Sequence, residues 1–210
     1  MNDQGQYWKD VYKKKNKFAS NKNGYELPWD IKTFDPNLKE LLDNFNLNSG
    51  ELLELGCGTG YDSNYLHTRG FNVTAIDLSQ DAIDVAKQGN NSINFIVGDF
   101  FSDLPTKQFD VIYDRGFLHN QKHRLQEIFE KLNSITSKNG KIIVITGNPN
   151  QPIIETCMPP PVFIGELEHW SANWFKIVLA KEITFLLDEN YENGLGYLFL
   201  LEKRNVNTND

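Results

Sequence analysis

The chain has 210 residues, 40% of them hydrophobic and 23% charged, which is the composition of one globular domain with a full core. Its formal net charge of −7 argues against broad binding to nucleic acid, because such binding requires a basic face. No apolar run is long enough to span a membrane, and the polar first residues do not predict a secretory signal.

The first 34 residues are polar and include Gly24 and Pro28, so they are predicted to form an N-terminal cap on the main body. Six lysines between Lys9 and Lys22 indicate either a solvated surface or a basic arm for an anionic partner. Asp35-Pro36 then predicts the start of a helix, with aspartate as the N-cap and proline at the first helical position. Leu38, Leu41, Leu42 and Phe45 are predicted to form the buried face of that helix.

After residue 50, strand and helix signals alternate. Strands are predicted at 51–55, 71–76, 93–97, 109–113 and 141–146, and helices at 61–69, 80–88 and roughly 121–136. Such alternation predicts an α/β domain with a mostly parallel sheet and helices on both faces. A helix near 165–172 precedes the runs 174–186 and 196–203, which predict an antiparallel hairpin with Gly194 and Gly196 in its turn.

The segment 51–60, ELLELGCGTG, carries the clearest functional signal. A short apolar strand leads directly into Gly56, Gly58 and Gly60, and glycines there allow a tight turn and a close approach of the backbone to a ligand. The spacing differs from the G-x-G-x-x-G of dinucleotide-binding loops. The acid Glu54 is a poor neighbour for a pyrophosphate but suits a ligand with a cationic amine and a sulfonium. A tight turn without any ligand is the alternative.

The segment resembles motif I of the class I methyltransferases that depend on S-adenosylmethionine (SAM). The resemblance implies their Rossmann-like fold, with a seven-stranded, mostly parallel sheet that ends in an antiparallel hairpin. It also implies SAM as cofactor, bound by Glu54 and by the loop residues Gly56, Cys57, Gly58 and Gly60. We expect one domain over 1–210: the cap at 1–34, a SAM-binding core at 35–150, and an acceptor-side lid with the hairpin at 151–210.

The ends of the next two strands supply further candidates, because ligands of open α/β sheets lie beyond the carboxyl ends of the strands. Asp77 ends the second strand, and its carboxylate can accept hydrogen bonds from two ribose hydroxyls; the neighbouring Leu78 is placed in the same site. Asp99 follows the third strand and can accept from an adenine amine, while Phe100 can pack on the adenine ring. The alternatives are a helix-start acid at Asp77 and an ordinary Gly-Asp turn at Asp99.

Asp114-Arg115-Gly116 ends the fourth strand and, with Pro28-Trp29-Asp30, resembles the thiopurine S-methyltransferase family, including its halide and thiol methyltransferase relatives. The run 158–163, MPPPVF, is similar to that family's substrate-side loop. The resemblance implies that Trp29 closes the SAM pocket, where its indole suits a sulfonium. It also implies that Asp114 lies at the site and that Arg115 faces the methyl acceptor. The alternatives are a buried cap tryptophan and an ion pair of Arg115 with Asp114 or Asp30.

The predicted reaction is methyl transfer to a small thiol, thiopurine or halide. A nearby arginine favours the thiolate form of a thiol, and His119 or His123 could titrate near neutrality as a base. Small oxygen, nitrogen or metalloid acceptors, or SAM binding without transfer, are the alternatives. We predict no metal, no nucleic-acid or membrane partner, and a monomer or weak homodimer. Because Cys57 and Cys157 stand in unlike segments, we expect reduced thiols and a cytoplasmic location.

Overall fold

A computed structural model describes residues 3–13, 27–150 and 161–205. Its centre is one seven-stranded sheet in the order β3-β2-β1-β4-β5-β7-β6. Strands β3, β2, β1, β4 and β5 run parallel, and β7 runs antiparallel to both of its neighbours, β5 and β6. This is the fold of class I methyltransferases, so the predicted fold class is confirmed, including the terminal hairpin.

The elements are the following. The strands are β1 (Gly50–Leu55), β2 (Phe71–Asp77), β3 (Asn94–Val97), β4 (Phe109–Arg115), β5 (Thr136–Gly147), β6 (Phe175–Phe185) and β7 (Gly194–Lys203). The helices are α1 (Asp3–Tyr12), α2 (Pro36–Asn44), α3 (Tyr61–Thr68), α4 (Gln80–Gly89), α5 (Phe117–Asn120), α6 (Leu125–Ile135) and α7 (Ile164–Ser171), with a 3₁₀ turn at Lys122–Arg124 between α5 and α6.

Local sequence chemistry explains two helix starts. The Asp35 carboxylate accepts a hydrogen bond from the Asn37 backbone at 2.8 Å and caps α2, as predicted. Ser79 caps α4 in the same way by accepting from Ala82 N. The predicted apolar face of α2 is correct for its three leucines and wrong for Phe45, which follows the helix as its C-cap and is 37% exposed.

The side-chain alternation of the strands divides the core into two layers. One layer joins α2, α3 and α4 to the sheet, and the other joins α5, α6 and α7 to the opposite face. Leu52 and Ile143 point into the first layer, whereas Leu53 and Ile142 point into the second. Helices therefore cover both faces of the central strands, which leaves the carboxyl edge of the sheet as the place for a site.

The structure corrects the predicted helix at 121–136. The chain forms α5 directly after β4, then the 3₁₀ turn, and α6 begins only at Leu125. Asp114 explains the early start, because its carboxylate accepts from Phe117 N at 2.6 Å and Leu118 N at 3.0 Å. Strand β4 also runs two residues beyond its predicted end, so Asp114 and Arg115 belong to the strand itself.

Three glycines lie inside strands, and two of them, Gly194 and Gly196, were predicted in a turn. Gly140 is part of β5, at an irregularity in the pairing of β4 with β5. Gly194 and Gly196 belong to β7 and pair with β6. A Cβ on Gly196 would stand 3.0 Å from Phe185 Cβ and from Thr146 O, so close packing of three strands requires this glycine.

Some predictions concern residues that the structure does not describe. Cys157, residues 158–160 of the substrate-side run and most of the lysine-rich segment lie outside the described residues. Cys57 is buried with a free thiol. In the described ranges, no helix has both the length and the apolar character needed to cross a membrane.

Candidate functional site

The candidate site is a cleft where the strand order reverses, beyond the carboxyl ends of β1 and β4. This is the place where open α/β sheets bind ligands. The cleft is lined by Tyr12, Trp29, Asp30, Ile31, Thr33, Glu54, Gly56, Cys57, Gly58, Thr59, Tyr61, Asp62 and Arg115. The elements that meet here are α1, the segment before α2, the glycine loop, the start of α3 and the end of β4.

The three glycines of the loop all have left-handed backbones, with φ of 63° at Gly56, 53° at Gly58 and 78° at Gly60. Glycine adopts this conformation without the steric cost that other residues meet. Their surroundings differ. A Cβ on Gly60 would stand 2.8 Å from Ala86 Cβ, so this glycine lets the loop pack on α4. Gly56 and Gly58 line the cleft.

Buried acids form the floor of the cleft. Glu54 is 4% exposed and accepts a short hydrogen bond from the Ser63 hydroxyl. Burial, reinforced by the charge of Asp62, raises the pKa of Glu54 well above its ordinary value. Burial also raises the pKa of Asp62 to about 6, although Arg115 opposes that shift. These groups therefore gain from a cation that enters the cleft, since it would favour their charged forms.

Asp77 stands behind the glycine loop. Its two carboxylate oxygens accept from Gly58 N at 2.9 Å and from Ser79 N at 2.8 Å, so the acid fixes the loop against the start of α4. Burial raises the pKa of Asp77, and the backbone N–H groups oppose that shift. Leu78, the next residue, is half-buried. The carboxylate retains free lone pairs, because each of its oxygens can accept more than one bond.

The predicted adenine residues lie beyond β3 and outside the lining of the cleft. Asp99 accepts from Phe101 N at 2.8 Å through its side chain, and its own N–H donates to Asp103 at 2.7 Å. Phe100 is 3% exposed and packs against Phe101 and Phe117, with ring centroids at 5.0 and 5.2 Å. The ring is thus part of the core below the site, which leaves little of its face for an adenine ring.

An aromatic group from the N-terminal segment covers the loop. Trp29 lies in the lining of the cleft, and Trp8 meets it edge to face with ring centroids 5.7 Å apart. The Trp29 indole N–H donates to the Tyr12 hydroxyl at 3.4 Å. No sequence motif indicates Tyr12, because α1 is far from the glycine loop in the chain. Asp62 was also missed, although it lies two residues after Gly60, and Asp30 was named only as an alternative ion-pair partner of Arg115.

Arg115 holds the upper part of the cleft together. Its Nε donates to Asp35 at 2.9 Å, Nη1 to the Trp29 carbonyl at 3.0 Å, and Nη2 to the Leu186 carbonyl at 2.7 Å. The alternative reading of Arg115 as half of an ion pair anticipated Asp114 or Asp30 as partner; the partner in the structure is Asp35. Since the side chain also lines the cleft, its charge acts there as well.

Asp114 and His119 do not line the cleft. Asp114 is 1% exposed, serves as the cap of α5, and has its pKa raised to about 7 by burial. Burial, followed by the nearby charge of Arg115, lowers the pKa of His119 to about 3. The prediction that His119 titrates near neutrality is therefore wrong, and its imidazole is neutral. His119 Nδ1 is buried and has no hydrogen-bond partner.

No metal centre is apparent in the part of the chain that the structure describes. Within those residues, no group of three or more histidine, cysteine, aspartate and glutamate side chains could hold a metal ion. The acids of the cleft instead make their hydrogen bonds to serine, threonine, tyrosine and backbone groups.

Residues 53–144 match a family model described as "Methyltransferase domain". The matched range begins in β1, includes the glycine loop and ends in β5, so it contains the loop and most of the acids described above. The chain contains a SAM-dependent methyltransferase domain. The matched range of this methyltransferase domain includes Glu54 and the three glycines of the loop.

Two curated relatives extend beyond that range. "Probable thiol methyltransferase 2" of Arabidopsis thaliana is 25% identical over 149 residues, which are 68% of this chain and 64% of the relative. "Ubiquinone biosynthesis O-methyltransferase" of Rickettsia bellii is 32% identical over 156 residues, or 72% of this chain and 65% of the relative. The chain thus spans somewhat less than two thirds of the length of these two relatives.

A solved structure has the same fold over nearly the whole chain. It is described as "Conversion of a Disulfide Bond into a Thioacetal Group during Echinomycin Biosynthesis". Its TM-score is 0.79 at 22% identity, and the superposition covers 95% of this chain and 92% of the other. At that identity the similarity establishes the fold alone, and it includes the N-terminal part that the family model leaves out.

Proposed function

We propose that this protein transfers a methyl group from SAM to a small, soft nucleophile, with a thiol, thiopurine or halide as the preferred class. The observation that carries the proposal is the pairing of a left-handed glycine loop with buried acids in one cleft at the switch point. A cleft of this kind suits a ligand that has polar nucleoside groups and two positive charges. SAM is such a ligand, and it supplies a methyl group activated by a sulfonium.

The residues present fit SAM on two counts. Gly56 and Gly58 line the cleft with left-handed backbones, and a Cβ on Gly58 would stand 2.7 Å from the Tyr12 oxygen, so the loop and Tyr12 can approach each other closely only with glycine there. Glu54 is buried and Asp62 half-buried, both have raised pKa values, and an ammonium or sulfonium would stabilise their charged forms. We assign the ammonium to Glu54 and the ribose hydroxyls to the free lone pairs of Asp77. Leu78 and Asp99 are assigned to the adenine side, which the buried Phe100 ring supports from the core rather than by direct stacking.

Trp29 is assigned to closure of the cleft over the methyl donor. Its indole lies in the lining of the cleft and is held by Tyr12 and by the edge of Trp8. An aromatic face attracts a cation most strongly where water is excluded, which favours a role beside the sulfonium. Orientation and exclusion of water are the main contributions that an enzyme makes to a displacement of this type, about 7–11 kcal/mol for well-aligned reactants.

The acceptor is assigned to the side of the cleft near Arg115, Asp114 and His119. Arg115 brings positive charge to the cleft, and a positive charge favours the thiolate of a thiol or a halide anion. His119 lies outside the lining of the cleft, and its ring is neutral. A pKa of about 3 makes this imidazole a poor base, so the proposal relies on an acceptor that reacts as a thiolate or a halide anion. Asp114 positions His119, because it caps the helix that carries this residue.

Sulfur is favoured as the accepting atom by the similarity to a protein named as a probable thiol methyltransferase. The relative named as an O-methyltransferase has higher identity, 32%, and it supports an oxygen acceptor as the second candidate. The two candidates differ in whether the acceptor must lose a proton to a base. A thiolate or halide needs no base, whereas most hydroxyl groups do.

The direct test is to incubate the purified protein with methyl-labelled SAM and separate thiols, thiopurines, iodide, phenols and amines. We expect label in the thiol or iodide products and accumulation of S-adenosylhomocysteine. Label only in phenol products would move the assignment to oxygen. Tight binding of SAM without label in any product would favour a non-catalytic SAM-binding protein. Asp77→Ala should weaken SAM binding, and unchanged affinity would contradict the assigned cofactor site.

A further inference from the structure

The methionyl end of SAM carries a carboxylate as well as an ammonium, and the carboxylate also needs a partner in the cleft. Asp30, Glu54 and Asp62 all line the cleft, and such acids suit the ammonium but repel a carboxylate. The inference below rests on the proposed binding of SAM and concerns the group that receives its carboxylate.

Tyr12 is the side chain with the required properties. Its ring approaches the glycine loop so closely that a Cβ on Gly58 would stand 2.7 Å from the Tyr12 oxygen. The hydroxyl oxygen accepts from the Trp29 indole at 3.4 Å, but its O–H donates to no acceptor within the described residues. Burial, followed by the charge of Asp77, raises the pKa of Tyr12 well above its ordinary value, so the phenol keeps its proton.

Other donors in the lining are less suitable. Each nitrogen of the Arg115 guanidinium already donates to the Asp35 carboxylate or to a backbone carbonyl. The Thr59 hydroxyl donates to Asp30 at 3.0 Å. Thr33 and Tyr61 are exposed, so water competes for their hydroxyls. The half-buried, uncommitted O–H of Tyr12 beside the glycine loop gains most from a charged acceptor, because hydrogen bonds to ionised groups are the stronger ones.

We propose that Tyr12 donates its phenolic hydrogen to the methionyl carboxylate of SAM and thereby selects ligands that carry a carboxylate at that end. Tyr12 lines the cleft together with Glu54, at the loop residue Gly58. A carboxylate and an ammonium on one carbon can therefore meet a donor and an acid in the same cleft. Helix α1 then contributes to ligand recognition from outside the matched range 53–144.

The test compares Tyr12→Phe with Tyr7→Phe, the same chemical change at an exposed tyrosine on the same helix. Dissociation constants are measured by calorimetry for SAM and for decarboxylated SAM, which lacks only the carboxylate. We expect Tyr12→Phe to raise the dissociation constant for SAM about tenfold or more and to leave that for decarboxylated SAM unchanged. We expect Tyr7→Phe to change neither dissociation constant. Far-ultraviolet circular dichroism and a thermal melt confirm that each variant folds.

An equal loss for both ligands would overturn the proposal, because Tyr12 would then act by holding Trp29 or the loop in place. Unchanged affinity for SAM would overturn it as well. Failure of the wild-type protein to bind either ligand is a different result, since it would contradict the proposed function itself. The two failures are therefore distinguishable in one set of titrations.

Discussion

Arg115 Nε lies 2.9 Å from Asp35 Oδ2, and both side chains are buried, with 8% and 0% of their surface exposed. The pair joins the end of β4 to the start of α2. The guanidinium of Arg115 also donates hydrogen bonds to the Trp29 carbonyl and the Leu186 carbonyl, so it connects four separate parts of the chain. Arg115 therefore has a structural task in addition to the charge that it brings to the cleft.

We predict that Arg115→Met lowers the free energy of unfolding by about 3–5 kcal/mol, because it leaves the Asp35 carboxylate buried without its partner. Urea denaturation monitored by tryptophan fluorescence measures the change. The control is the double variant Asp35→Asn/Arg115→Met, in which asparagine still caps α2 but carries no charge. It should be more stable than the sum of the single effects allows. A stable Arg115→Met protein that has lost only activity would show that the ion pair contributes little.

The pH dependence of stability gives a prediction for Asp114. Burial raises its folded pKa to about 7, above the ordinary value of 3.8, so the folded state holds a proton that the unfolded state has lost. The stabilising contribution of this group is complete below about pH 4 and is lost as the pH rises to about 7. We predict that Asp114→Asn flattens the fall in stability over this window.

The measurement for Asp114 is a series of denaturant unfolding curves between pH 4 and pH 8 for the wild type and Asp114→Asn. The wild type should lose about 2–4 kcal/mol relative to the variant as the pH rises. Parallel curves for the two proteins would contradict the raised pKa. The control is Asp110→Asn, which makes the same chemical change at an exposed position on the same strand.

The parts of the fold that sequence could predict are those with local causes. Asp35-Pro36 determines the start of α2, and the strand-to-glycine transition at 51–60 places the loop correctly. The break between α5 and α6 has a cause three and four residues away, since Asp114 captures the N–H groups of Phe117 and Leu118. Helix periodicity does not report such a capture, and the predicted helix at 121–136 was wrong for that reason.

The parts of the site that sequence could not predict depend on distant contacts. Arg115 meets Asp35 across 80 positions, and Tyr12 reaches a loop that begins more than 40 residues later. Asp35 was recognised only as a local helix cap and Tyr12 belongs to no motif, so no spacing rule connects either residue to its distant partner. The buried state of His119 is of the same kind, because a histidine on a short helix after a strand carries no sequence signal for the loss of solvent around its ring.

Glu54 gives a prediction about protons released on binding. In the cleft without a cation, burial and Asp62 keep the pKa of Glu54 well above its ordinary value. A cationic ligand favours the carboxylate, so binding of SAM should release part of a proton, and affinity should rise as the pH rises through about 6, the pKa of Asp62. Calorimetry at pH 6 in buffers of different ionisation enthalpy measures the release.

The control for proton release is Glu54→Gln, which keeps the shape of the side chain and removes the titrating group. It should bind SAM about ten- to a hundredfold more weakly and release less of a proton. Identical heats in all buffers for the wild type would contradict the prediction. Reduced affinity with unchanged proton release would instead assign the released proton to Asp62.

Gly58→Ala tests the contact between α1 and the glycine loop when no ligand is added. The new Cβ would stand 2.7 Å from the Tyr12 oxygen, and alanine at φ of 53° adds backbone strain of about 1–2 kcal/mol. We predict a larger loss of unfolding free energy in the wild-type background than in a Tyr12→Phe background, where the phenolic oxygen is absent and only the strain acts. The difference between the two backgrounds, measured by denaturant unfolding, is the coupling between Tyr12 and Gly58. Equal losses in both backgrounds would mean that α1 moves away from the loop freely, and Tyr12 would then have no fixed position over the cleft before a ligand binds.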